Sequence, residues 1–547
     1  MSRRETWTVF AASLAVYLGV GLTLSLRYGY LLGDALARTS AAQAVLFSRD
    51  PHVSAIGYIF TPLTALAQLP LVAFSSWLPA ITRWNISAIA VSALFMAGAT
   101  VMIYGICRDR GLTKPYSSII AAVFALNPII VFFGANGMSE APFLFFACWA
   151  ARRLIRWVHT DDVHDLVFAG IALALAYLTR YDAVAAIAAT TFLVAGVTVM
   201  RQGRAKWRTM RRRALLDAVL LAGPGFSAFV VWTATSWLIT GEALAQLSSN
   251  YGNAAILEQS GGGATGTLLG NTAFVVTAIV VLGPTLLIAG PVAAVLAHRR
   301  RDLEFLVAPV MFGSVLAFQA FSYITGSTFG FLRFYICAIP LAAIVVVQIF
   351  APQGNPETRR TGKFHRSRSE HATAKIGVSA ALVALSVVGM MVTGWAMLQP
   401  SLSAQQYALG YLFDTSPSAN DADAVAARRI IDSFSTEREL AAYLDSQNLP
   451  EGSVLVDTVY GFAVVAASSR PDQFIVPSDQ DFTTILNDPA AAGVQYLLTV
   501  PNSGRGESDA INRRYPSIYD NGALEFSFVF EAPNDGADQP DWRLYEV

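Results

Sequence analysis

Eleven apolar stretches, joined by loops whose arginines and lysines cluster at every second junction, constrain this 547-residue chain more than anything else in it. A bilayer crossing needs about 20 mostly apolar residues. The candidates run roughly over 7–25, 86–106, 116–134, 141–157, 166–179, 183–200, 215–239, 267–296, 304–322, 334–351 and 376–397. A further stretch, 60–79 (FTPLTALAQLPLVAFSSWLP), is apolar enough to compete.

The basic clusters decide between the two counts. They lie at Arg3/Arg4, Arg108/Arg110/Lys114, Arg152/Arg153/Arg156, Arg201 through Arg213, Arg299/Arg300/Arg301 and Arg359 through Lys375. Positive charge is retained on the cytoplasmic side of a membrane. The clusters follow every second span only if 60–79 does not cross. That stretch, with Pro62 and Pro70, is therefore expected to lie at the interface or to re-enter. The N-terminus is then cytoplasmic. The loops at 26–85, 135–140, 180–182, 240–266 and 323–333 face outward, as does everything after residue 398. MSRRETW followed by a long apolar run, with no small-residue cleavage site, reads as an uncleaved first span.

Charge divides the chain in the same way. From Pro400 onward there are 8 Arg, no Lys and 22 Asp and Glu, a net of −14; the rest holds 30 basic and 16 acidic residues, a net of +14. Two compartments are implied, and the Ala- and Arg-rich composition fits a bacterial plasma membrane. Cys107, Cys148 and Cys337 all lie in apolar stretches, which leaves the acidic part without a disulfide framework or a cysteine metal site. After 398 the texture changes. Helical periodicity at 422–447 gives way to β-branched runs at 453–459, 473–478 and 494–500, then LEFSFVFEA and WRLYEV. The expected organisation is a transmembrane domain over 1–398 with a first outer loop at 26–85, and a small soluble α/β domain over 399–547. Asp457 and Asp479 fall near strand ends, where such folds place ligands. No glycine-rich nucleotide fingerprint accompanies them, so a structural or binding role is expected there. In the 240–266 loop the glycine-rich end, Gly261–Gly263, reads as a mobile linker.

The chemistry is expected on the outer loops. Asp34 opens the helix-like run DALARTSAAQAVLF just past the first span. An acid there satisfies free backbone N–H groups and the helix dipole. It also sits where a lipid-linked substrate presents its head group, placed to act as a general base; both readings stand. Asp50 and His52 follow in the same loop. Asn136, Ser139 and Glu140 occupy the next outer turn, Arg180, Tyr181 and Asp182 the one after, and Arg333 and Tyr335 a later one. Any one of these can simply snorkel to water. Several on one face make a site, and guanidinium suits a phosphate bidentately.

The pattern resembles the GT-C superfamily of membrane glycosyltransferases, including the protein O-mannosyltransferase and lipid A aminoarabinose transferase groups. Four segments over residues 5–350 carry the resemblance: Asp34 in YLLGDALA, the turn Phe60-Thr61-Pro62-Leu63, GMSEAPFLFF, and the arginine in GFLRFY. The turn has one proline fewer than the family's, and the acid stands alone rather than as a pair, which argues against a bound metal.

The resemblance implies a polytopic α-helical GT-C-like fold with about eleven spans and interfacial helices. It implies transfer of a hexosyl or pentosyl unit from a polyprenyl-monophosphate donor to an extracytoplasmic glycan, lipid or protein acceptor, with inversion. Asp34 would be the base and Asp50 its substitute. Arg333, Arg180 and Tyr335 would hold the donor phosphate, and His52, Glu140, Asn136, Tyr181 and Asp182 would bind substrate. No cofactor, metal or nucleic-acid partner is expected. A transporter or flippase of lipid-linked sugars is the competing reading, since charges at span ends also line translocation paths; no inverted repeat supports it. A non-catalytic scaffold whose acidic outer domain binds an envelope partner is a third reading.

Overall fold

The computed structural model describes residues 2–202, 207–260, 266–351, 372–412 and 421–547. Two expected features, the glycine-rich turn at 261–263 and most of the basic cluster at 359–375, lie outside the described residues.

Every one of the eleven apolar stretches is helical. Six helices are long and apolar enough to cross a bilayer, or eight when each bent pair is taken as one span. Among the described residues, length and apolarity alone therefore do not reach the expected count of about eleven, and two helices show why. Glu140–Thr160 carries Arg152, Arg153 and Arg156 in its second half. Val163–Tyr177 has only 15 residues. The two bends have sequence causes. Lys114–Ala125 meets Pro128–Ala135 at 66°, and Leu268–Leu282 meets Leu286–Arg300 at 76°. Pro128 and Pro284 lack the N–H that would continue the helix. Asn127 caps the second half of the first pair, accepting from Ile129 N–H at 3.2 Å.

Segment 60–79 does not form a span. It breaks into short helical turns, Leu63–Leu66 and Leu69–Val72, with Ala80–Arg83 just beyond it. Leu63 N–H donates to Leu178 O at 2.9 Å and ties this lid-like stretch to the end of Val163–Tyr177. Phe74, Trp77 and Leu78 stay exposed, as an interfacial element would leave them.

The helix ends sort into two faces. At one, the basic clusters pair with acids from neighbouring loops: Lys114 with Glu5 at 2.5 Å, Arg152 with Asp109 at 2.7 Å, Arg153 with Asp165 at 2.8 Å, Arg201 with Asp161 at 2.8 Å and Arg110 with Asp302 at 2.5 Å. At the other, Gly33–Phe47 runs between the helical bundle and the C-terminal part of the chain. Gly29, at φ +70°, supplies the left-handed turn that releases the chain from the first helix.

The C-terminal part holds a five-stranded sheet in the order β2-β1-β3-β5-β4, with β1 Val454–Val456, β2 Phe474–Ile475, β3 Tyr496–Thr499, β4 Ser527–Ala532 and β5 Trp542–Glu546. β1 runs parallel to β2 and β3; β5 is antiparallel to β3 and β4. Alternate side chains of β1 enter separate cores. Val454 and Val456 pack with Leu440 and Val464 on one face, while Leu455 packs with Phe482 and Ile511 on the other.

This domain sits directly on the first loop. Leu31 and Leu36 pack with Phe434, Ala463 and Ala466. Arg49 pairs with Asp479 at 3.3 Å, and Arg83 donates to Ala467 O at 2.8 Å. The C-terminal ends of the parallel strands, the usual ligand edge, are thus used for docking. Asp457 follows β1, caps Thr458–Ala467 through Val459 N–H at 2.7 Å, and accepts from Tyr251 of the 240–260 segment at 2.7 Å.

Candidate active site

Asp34 is the second residue of Gly33–Phe47, whose N-cap is Leu32. Its carboxylate is bonded to a side chain rather than to a backbone N–H. Arg333 donates to Asp34 Oδ2 at 3.1 Å. Arg333 comes from the short helical turn Leu332–Tyr335, and Phe331 and Phe334 flank its guanidinium at 4.9 and 5.4 Å.

From there the charges alternate. Arg333 Nε lies 3.9 Å from Glu140 Oε1, which accepts from Arg180 Nη1 at 2.7 Å. Arg180 Nε donates to Asp182 Oδ2 at 2.9 Å. Glu140 is only 1% exposed in its side chain, whereas that of Asp34 is 41% exposed. Four separate turns therefore converge on one ion network, and Asp34 is its accessible end. Burial pushes the Asp34 carboxyl up. The nearby charges of Arg333 and Arg38 outweigh that and hold it below its ordinary value of 3.8. The group is ionised at neutral pH, as a base must be.

Asp34 opens into a cavity of about 1510 Å³ between the bundle and the C-terminal domain. Arg180, Tyr181, Asp182, Arg333 and His52 line it with Asp34. Tyr181 Oη donates to Ile59 O at 3.0 Å, pinning the segment before the Thr-Pro-Leu turn. Four expected site residues are not on the wall. Asp50 Oδ2 accepts from Gln480 N–H at 3.1 Å, so this acid serves the junction with the C-terminal domain. Tyr335 is buried in the bundle, its ring 6.4 Å from that of Phe274. Asn136 uses its side-chain oxygen to hold Met138 N–H at 3.0 Å. Glu140, itself off the wall, positions two arginines.

Two wall arginines escaped the sequence reading. Arg38 lies one helical turn after Asp34, where an i,i+4 count would have found it. Arg505 enters from the C-terminal domain, stacked 5.2 Å over Tyr460, and nothing local in the sequence announces it. Among the described residues no group of three or more His, Cys, Asp or Glu side chains is placed to hold a metal ion.

The fold and site define a polytopic helical membrane protein with a carboxylate–arginine cavity under an α/β domain. Residues 70–232 match the family described as dolichyl-phosphate-mannose-protein mannosyltransferase. That match bears out the GT-C resemblance over a stretch containing Glu140, Arg180 and Asp182; Asp34 and Arg333 lie outside it. No curated protein sequence matches the chain. Among solved structures, the oligosaccharyltransferase AglB from Archaeoglobus fulgidus, in complex with an inhibitory peptide and a dolichol-phosphate, is similar at 12% identity and a TM-score of 0.42, over 98% of this chain and 74% of that one. The mycobacterial arabinofuranosyltransferase AftD, as the mutant R1389S, is similar at 14% identity and a TM-score of 0.43, over 100% of this chain and 42% of that one.

Proposed function

We propose that this chain is a membrane-embedded glycosyltransferase that moves a sugar from a polyprenyl-monophosphate donor to an acceptor on the outer face of the plasma membrane. The observation that carries the reading is the ionised, accessible Asp34 beside Arg333 at the mouth of a cavity large enough for a lipid-linked sugar and a glycan, lipid or protein acceptor. The family match over residues 70–232 supports the same chemistry.

In this reading the acceptor O–H gives its proton to Asp34 as its oxygen bonds to the anomeric carbon. The bond from that carbon to the phosphate oxygen breaks, and the electron pair leaves with the polyprenyl phosphate. Attack from the face opposite the phosphate inverts the sugar. Positioned general-base assistance contributes about 10²–10⁴-fold. Arg333 orients Asp34 and faces the departing phosphate, while Arg180 holds Glu140. The N-terminus and the basic helix ends are cytoplasmic, and the C-terminal domain covers the cavity from outside.

Purified protein incubated with radiolabelled polyprenyl-phosphate sugar and an acceptor glycan tests this. Label in the acceptor, with inverted anomeric configuration, is the expected result. Movement of the labelled lipid between leaflets of a vesicle without transfer would instead establish a flippase.

A further inference from the structure

We propose that Arg38 is the cation that receives the donor's phosphate, and that Arg180 is a positioning residue committed to the protein frame. The inference rests on the glycosyltransferase reading above.

The arginines around Asp34 are not equivalent. Arg180 spends both sides of its fork on carboxylates, 2.7 Å to Glu140 and 2.9 Å to Asp182. Arg333 is shared between Asp34 at 3.1 Å and Glu140 at 3.9 Å. Arg38 has no carboxylate oxygen within 4.0 Å among the described residues. Its one hydrogen bond goes from Nη1 to the backbone carbonyl of Asp34 at 2.8 Å. Yet the residue is only 7% exposed. A buried cation with no carboxylate in direct contact is costly to keep, and an anion bound against it offsets that cost. Burial pulls the Arg38 guanidinium below its ordinary value; the charges of Asp34 and Glu140 oppose this, and those of Arg180 and Arg333 add to it.

The side chain is also oriented for the task. It lies on the cavity wall one turn along the helix from Asp34, so base and cation share one rigid element. The Phe60 ring lies 4.2 Å from its guanidinium carbon and fixes the plane. A guanidinium held in one plane meets two phosphate oxygens at once. Arg505, the other wall arginine with no carboxylate oxygen within 4.0 Å among the described residues, belongs to the C-terminal domain and donates to Val459 O at 3.4 Å; its charge also reaches Asp34, but it does not share the helix that carries the base. During transfer the phosphodiester, carrying one negative charge, becomes a phosphomonoester and gains a second. A cation with no carboxylate in direct contact opposes that developing charge better than one already paired.

Equilibrium binding of a sugar-free polyprenyl monophosphate to the purified full chain tests the assignment apart from catalysis. Arg38→Gln is expected to weaken binding by about 10- to 100-fold. Arg38→Lys, which keeps the charge and loses the fork, should weaken it less. Arg180→Gln should lower the melting temperature with little change in affinity for the folded fraction, and Asp34→Asn should still bind. Wild-type affinity in Arg38→Gln, or in Arg38→Lys if the glutamine variant does not fold, overturns the assignment. Failure of the wild-type chain itself to bind would sink the glycosyltransferase reading and this inference with it, so the two failures are distinguishable.

Discussion

Asp34 and Arg333 lie 299 positions apart in the chain and 3.1 Å apart in the fold. The contact makes Asp34 an ionised group whose remaining surface faces the cavity. Asp34→Asn keeps the side chain's size and removes the base. The variant is expected to melt within a few degrees of the wild type and to lose transfer by at least about 10²-fold. Thermal denaturation in detergent and a transfer assay check both halves; substantial residual transfer removes Asp34 as the base.

The same pair sets a pH dependence. Burial raises the Asp34 carboxyl, and Arg333 is the largest of the charges that more than reverse this. Its folded value therefore lies below the ordinary 3.8, so ionisation of Asp34 does not limit activity between pH 7 and about 5. The associated stabilisation is present above the unfolded value and is lost only as pH falls through the folded one. Arg333→Gln removes the largest of the charges that oppose burial and leaves Arg38 and Arg505. The acid limb of the kcat profile is then expected to move to higher pH, and an unshifted limb would show that Arg333 does not tune the base.

Much of the architecture was legible because membranes impose few choices. Basic clusters at alternate junctions placed Asp34, Glu140, Arg180 and Arg333 on one face, and their ion network shows that they meet. The prolines at 62 and 70 identified 60–79 as something other than a span. The five strands were readable from β-branched runs at their observed positions. What local sequence did not carry was partnership. Asp50 looked like a second base, but Gln480, far along the chain, claims its carboxylate. Tyr335 neighbours Arg333 in sequence, yet in the short helical turn Leu332–Tyr335 its ring enters the core while Arg333 reaches the cavity. Arg505 reaches that cavity through domain docking, which no local pattern encodes.

Glu140 is expected to matter for the frame rather than for chemistry. It is almost wholly buried and joins Arg180 to Arg333. Glu140→Ala leaves the two guanidiniums facing each other without the carboxylate between them. Removing one partner of a buried ion pair costs on the order of 3 kcal/mol. A clear fall in melting temperature should accompany reduced transfer, and Glu140→Asp should recover part of both. Full stability with lost activity would instead give Glu140 a direct role.

The docking edge of the C-terminal domain carries a second pH-sensitive pair. Asp457 and Asp509 are both buried close together, and Tyr251 bonds to Asp457 at 2.7 Å. Burial drives the Asp509 carboxyl well above its ordinary value of 3.8, and the charge of Asp457 pushes it further; the N–H groups of Asn512 and Ile511 and the charge of Arg513 oppose both only in part. A carboxyl raised on folding favours the folded state while it is protonated. That contribution is complete below the unfolded value and is lost as pH rises through the folded one. Stability of the domain should therefore decline from about pH 4 upward as Asp509 is forced to ionise. Asp509 also caps the helix Ala510–Arg514, accepting from Ile511 N–H at 2.8 Å and Asn512 N–H at 3.2 Å. Asn caps a helix about as well as Asp does. Asp509→Asn should thus keep the cap, remove the titration and flatten the decline, raising stability at pH 8 relative to the wild type. Hydrogen exchange of the Ala510–Arg514 amides against pH reads this directly, and equal pH slopes in the two proteins would show that Asp509 ionises without cost.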